Sequence, residues 1–185
     1  MFNLKIQSNS GEVERMLKDA KREHPQAAAA ALNRTAITVR SRAIKFISTE
    51  MELKQKFIRG AFKIKRATAT KITASIDVTG NKGIQAIFLQ PSLSTVIRPQ
   101  PGKGISFQKS KSVRAFIPGG FVAKGKGGHI GIFQREGTGR LPIELQRGPS
   151  IPALFRDRHT AMRAVVTERF PIEFRSALKF FKGKR

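Results

Sequence analysis

The sequence predicts an α+β fold, with N-terminal helices packed on an antiparallel β-sheet and a C-terminal helix. Three observations carry this. From Gln26 to Ser48 apolar residues recur at helical spacing. From about residue 61 to 155 short β-branched or alternating segments are separated by glycine and proline. From Arg156 the helical spacing returns. One domain is expected over residues 1–185: a mainly helical stretch 1–60, a mainly stranded stretch 61–155 with basic Gly/Pro-rich loops, and a C-terminal helix with a basic tail at 156–185.

Taken in order, Phe2, Leu4 and Ile6 alternate with polar residues and predict a short strand. Asn9 or Ser10 can cap the helix that follows, with Glu12 and Glu14 at its positive end and Val13, Met16, Leu17 and Ala20 on one face. Pro25 either ends this helix or begins the next at its first turn. The second helix carries the stripe Leu32, Ala36, Val39, Ala43 and Phe46, widened by Ile37, Ile44 and Ile47. Its start, Ala27–Ala31, is small enough for another helix or subunit to approach closely. Thr49 and Glu52 have capping-box spacing and predict a short helix over Glu50–Arg59, stopped at Gly60.

Strands are expected at Phe62–Ala67, Lys71–Val78 and Ile84–Leu89, the last two joined as a hairpin through Gly80–Gly83. The Pro, Gly and Ser-rich stretch 91–104 reads as an exposed loop, and Ile105–Gln108, Ser112–Ile117 and His129–Arg135 as further strands. Arg140–Phe155 reads as a strand, a tight turn at Gly148–Pro149 and a helix entry; Arg140, Pro142, Gly148, Pro149 and Pro152 fix the chain path there. Arg156–Arg169 is helical, Pro171 kinks or restarts the helix, and Phe174, Leu178 and Phe181 continue it.

Composition bounds the chemistry. Lys and Arg number 36 against 12 Asp and Glu, a net charge of +24. Such self-repulsion adds nothing to folding and points to a polyanionic partner or an acidic neighbouring protein. Nucleic acid leads; an anionic membrane surface is the weaker option. Cysteine is absent, which excludes disulfides, thiolate metal sites and a cysteine nucleophile. No apolar run is long enough to span a bilayer, and Met1–Gln7 has no signal-peptide character. His24, His129 and His159 are far apart, with no carboxylate at ligand spacing. Gly102–Gly104 and Gly125–Gly128 lack the Gly-Lys-Ser/Thr of a phosphate loop. No cofactor, metal or catalytic residue is expected. Trp and Tyr are absent, and the 14 Phe residues sit mostly in apolar runs and read as core.

The charge concentrates at Lys54, Lys56, Arg59, Lys63, Lys65 and Arg66, with Lys124 and Lys126 in a glycine-rich loop. These residues read either as contacts to DNA phosphate or an acidic subunit, or as a solvated face. Phosphate contacts would carry no base information. Asp77, alone in basic surroundings, is expected to pair with a Lys or Arg.

Four stretches add a resemblance: Ala29–Ala36, reading Ala-Ala-Ala-Leu-Asn-Arg-Thr-Ala; the basic run ending Lys65-Arg66-Ala67-Thr68; Arg114–Ile117 followed by Ile132–Arg135; and Arg140–Ile143 with Gly148–Pro152. In this order and spacing, from about Ala27 to Leu178, the chain resembles the prophage minor tail protein Z family of long-tailed phages. The resemblance implies a structural virion component acting at tail completion, near the end that joins the head and receives the DNA terminus. It implies other tail proteins as partners (tail terminator, tail tube or neck proteins) and no catalytic residues. A homo-oligomeric ring, sequence-nonspecific DNA contact and no membrane contact are the matching expectations. A free, sequence-nonspecific nucleic-acid-binding protein is the alternative. An enzyme acting on nucleic acid would need paired acidic metal ligands, which the sequence does not display.

Overall fold

The computed structural model describes residues 2–5, 15, 18–20, 22, 24–80, 83–85, 104–110, 113–125, 128 and 130–183, with residues 2–5, 107–110 and 113–114 described by backbone alone. The fold is α+β, with a long N-terminal helix, small antiparallel sheets and a C-terminal helix. Its longest element, α1 (Pro25–Met51), starts at Pro25, where the missing N–H and the fixed φ suit a first turn. Upstream, Arg15, Lys18–Ala20 and Arg22 are helical and Ala20 is buried; Val13, Met16, Leu17 and the expected caps lie outside the described residues.

The buried face of α1 includes Ala27, Ala28, Ala31, Leu32, Thr35, Ala36, Val39, Ala43, Ile44, Ile47 and Met51. Phe46 and Ile37, read from the sequence as part of the stripe, are exposed. Phe46 instead lies under the Arg158 guanidinium, 4.9 Å from its ring centroid. The alanines let a second helix approach. That helix is α4 (His159–Lys182), the most extensive partner of α1. The two run antiparallel: Arg34 contacts Glu173 and Ser176, Arg42 bonds Glu168 at 3.1 Å, and Glu50 accepts from Arg158 at 2.6 Å. The stripe therefore faces chiefly a helix, where a sheet was expected.

The expected capping box does not form. Thr49 lies inside α1, and Glu52 ends that helix in the left-handed region at φ 53°. Buried Met51 keeps the last turn helical, and the Ser48 hydroxyl donates to the Leu53 carbonyl at 2.6 Å to turn the chain. A separate short helix, α2 (Gln55–Arg59), follows, anchored by fully buried Ile58.

The described strands form three small antiparallel sheets. In the first, β3 (Ser75–Val78) lies between β1 (Phe2–Lys5) and β2 (Phe62–Lys65). Period-2 alternation places Phe62, Ile64, Ile76 and Val78 on the core face, with Lys63, Lys65, Ser75 and Asp77 on the other. The second pairs β4 (Gly104–Ser110) with β5 (Val113–Pro118). The third is β6 (Phe121–Lys124), β7 (Ile130–Arg135) and β8 (Ile143–Leu145). β6, four residues between glycines, went unread in the sequence.

The hairpin expected between β3 and Ile84–Leu89 does not form among the described residues, since β1 and β2 occupy both edges of β3. Ile84 instead exchanges backbone hydrogen bonds with Gly148 (2.7 Å) and Pro149 (3.2 Å), and Gln85 bridges Arg147. Residues 86–89 lie outside the described residues, as does most of the 91–104 loop.

α3 (Ile151–Asp157) starts earlier than expected, because Ser150 caps it through the Ala153 N–H at 3.3 Å and Pro152 occupies the first turn. α4 then runs through Pro171 without interruption. Phe62 and Phe155 meet edge-to-face at 5.4 Å, tying β2 to α3. Phe as core filler holds for Phe62, Phe155, Phe170 and Phe174; Phe46, Phe57, Phe116 and Phe180 are exposed.

Candidate nucleic-acid interface

Six of the eight candidate cations lie on α2 and the adjoining β2 stretch. The chain leaves α1 at Glu52, and buried Leu53 and Ile58 hold its apolar side inward. That leaves Lys54, the extended residue just before α2, and Lys56 and Arg59 on α2 exposed. After the Gly60–Ala61 turn, Phe62 enters the core, and alternation turns Lys63 and Lys65 outward, with Arg66 exposed beyond them. Arg40 of α1 joins the cluster: its Nη2 donates to the Arg59 carbonyl at 3.3 Å. Arg59 also donates to the Gln55 amide oxygen at 3.1 Å.

Lys65 differs from its neighbours. Its Nζ lies 2.7 Å from an Asp77 carboxylate oxygen. Asp77 is 3% exposed on the central strand, directly opposite Lys63, with Lys65 on the diagonal. The pairing expected for Asp77 is therefore present, and it commits Lys65 to the fold. Lys124 belongs to β6, in a different sheet, and is a strand residue where a loop was expected; Lys126 lies outside the described residues.

The motif Arg140–Pro152 runs through β8 of the third sheet into α3. Arg140 and Pro142 are exposed, the Leu141–Pro142 peptide is cis, and Gly148 and Pro149 form the strand-like contact with Ile84. A methyl group on Gly83 would collide with the Gly148 carbonyl, so the two segments meet where one has no side chain. Pro152 is buried at the start of α3.

Sequence reasoning missed one clasp. The Asn33 amide donates to the Ala67 carbonyl at 2.9 Å and accepts from the Ala67 N–H at 2.8 Å. This joins α1 to the end of the basic run. Among the described residues, no group of three or more His, Cys, Asp or Glu is placed to hold a metal ion, and no helix is long and apolar enough to cross a membrane.

The sequence profile of the prophage minor tail protein Z family matches residues 12–181. The chain belongs to that family. It is also similar to the tail completion protein of Escherichia phage N15, 29% identical over 134 residues that cover 72% of each chain. No solved structure matches it. As a minor tail protein Z, the chain is a structural component of a phage tail. Two of the four stretches that carried the resemblance, Ala29–Ala36 and Lys65–Thr68, meet in the Asn33–Ala67 clasp. In the third stretch, the Gln134 amide donates at 3.0 Å to the carbonyl of Pro118, the last residue of β5 and next after Arg114–Ile117.

Proposed function

We propose that this minor tail protein Z is a non-enzymatic tail-completion protein at the head-proximal end of a long-tailed phage tail. There it assembles as a homo-oligomeric ring with other tail proteins (tail terminator, tail tube or neck proteins) and holds the DNA end by sequence-blind phosphate contacts. The family match across residues 12–181 carries the reading. Likeness to a phage tail completion protein supports the stage of action.

The DNA contact rests on charge. Lys54, Lys56, Lys63 and Arg66 are exposed cations with no ion-pair partner among the described residues, in a chain of net charge +24. A passive conduit would not carry a strongly positive wall, because held phosphates slow passage. The charge fits a protein that retains the DNA end. A second reading, a free nucleic-acid-binding protein, is favoured by the same charge, and particle composition separates the two. Quantitative mass spectrometry of purified virions should find the chain at a fixed copy number, and a null mutant should yield tails that fail to form infectious particles. Absence from virions would sink the structural reading.

A further inference from the structure

Two exposed apolar surfaces lie on different elements and differ in shape. The first is a projection. Arg140–Ile143, leading into β8, is exposed throughout, and Leu141 at 72% is the most exposed large apolar residue among those described. Alternation then sets Ile143 with half-buried Phe133 and Leu145 on the face of the third sheet opposite buried Ile132. The second surface is a recess of about 450 Å³ on α1, lined by Arg42, Lys45, Phe46, Thr49 and Glu50. Phe46, its aromatic side chain, is 41% exposed. Contiguous apolar surface in water costs hydration free energy and marks contacts with other chains.

Charge limits which chain can cover these surfaces. Copies carrying +24 each repel one another, so they can meet only where both signs are present. The α2–β2 surface, with exposed Lys54, Lys56, Lys63 and Arg66, is repulsive. The recess sets Glu50 beside Arg42 and Lys45. The projection also carries both signs: Arg140 precedes Leu141, and Glu136 lies across from Pro142, donating its N–H to that carbonyl at 3.2 Å. Each sign on one surface has its opposite on the other.

We propose that neighbouring copies join through these two surfaces, with Leu141 of one copy seated in the Phe46 recess of the next. Arg140 then faces Glu50, and Glu136 faces Arg42 and Lys45. Projection and recess are different parts of the chain, so the contact is heterologous, the kind that closes a ring. The proposal rests on the ring advanced above and names its contact surfaces.

The test uses assembled tails with cysteine variants, since the chain has no cysteine of its own. The double variant Leu141→Cys/Thr49→Cys, treated with a short bis-maleimide, should give dimers and higher multimers of the chain on denaturing gels. Each single variant should give none, because unlike positions meet. Leu141→Asp should lower the copies per tail about tenfold or more, and Leu141→Met should retain them. Purified Leu141→Asp should keep the wild-type circular dichroism spectrum and duplex salt slope, because Leu141 serves neither the core nor the phosphate contacts.

Multimers from a single variant, none from the double variant, or an unchanged copy number in Leu141→Asp would overturn this contact, while a fixed copy number above one would leave the ring standing. A single copy per tail would overturn both.

Discussion

At the residue scale, the side chains that matter most are polar ones with distant partners. Asn33 satisfies both backbone groups of Ala67, 34 residues away, from a half-buried position. Asn33→Ala removes both hydrogen bonds and strands the Ala67 N–H and carbonyl, so chemical denaturation should show a loss of about 1–3 kcal/mol. Asn33→Asp keeps the acceptor but loses the donor and should not restore wild-type stability. His159, in the first turn of α4, has its pKa lowered from the ordinary 6.5, first by burial and then by the charge of Arg163. The folded state therefore disfavours the proton that the unfolded state accepts. The stability this gives is fully present above pH 6.5 and is lost as pH falls through and below it. Thermal unfolding between pH 7.5 and 5 should show a small decline in wild type that His159→Gln flattens. Asp77 was legible in the sequence because a lone carboxylate among cations has few alternatives. Asn33 was not, because a polar residue on a helix reads as solvated and nothing local points to Ala67.

At the element scale, periodicity located the helices and most strands but not the width of a buried face. The stripe Leu32, Ala36, Val39 and Ala43 is buried as read, yet Ile37 and Phe46 at its margins are exposed. A period of 3.6 gives the direction of a face; which marginal residues it covers depends on the shape of the neighbour, here α4. Leu32→Ala should cost about 2–5 kcal/mol in urea unfolding. Ile37→Ala should cost about 0.5 kcal/mol or less. Similar losses for the pair would place Leu32 outside the core. Strand pairing was the least legible part. Ile84 has the composition of a hairpin partner for β3, but β1, from the other end of the sequence, takes that edge. No local signal reports a partner some seventy residues distant; the Ser150 cap is local, yet the sequence reading began the helix at Arg156 and passed over it.

At the scale of the whole molecule, charge decides what the surface can do. The acids of the α1–α4 pair, Glu50, Glu168 and Glu173, are spent on Arg158, Arg42, Arg34 and Arg169, and Asp77 is spent on Lys65. Excess cations are thus left at the α2–β2 surface, which composition anticipated in amount and the basic run in place. The Lys65–Asp77 bond could not be read from the run itself, and it changes the count. Of Lys54, Lys56, Arg59, Lys63, Lys65 and Arg66, five are left to neutralise phosphates. If all five do so on a duplex, log affinity should fall with log salt at a slope of about −4.5. Changing Lys54, Lys56, Arg59 and Lys63 to Gln leaves one, and the slope should flatten to about −1. Base sequence should hardly alter either value, since phosphates carry none. The measurement is a duplex titration of purified protein from low to moderate salt, with both proteins confirmed folded by circular dichroism. An unchanged slope in the variant would clear the α2–β2 surface of phosphate contact and move the role to cations elsewhere, such as Lys124. Loss of duplex binding with retained assembly into tails would separate holding DNA from building the particle.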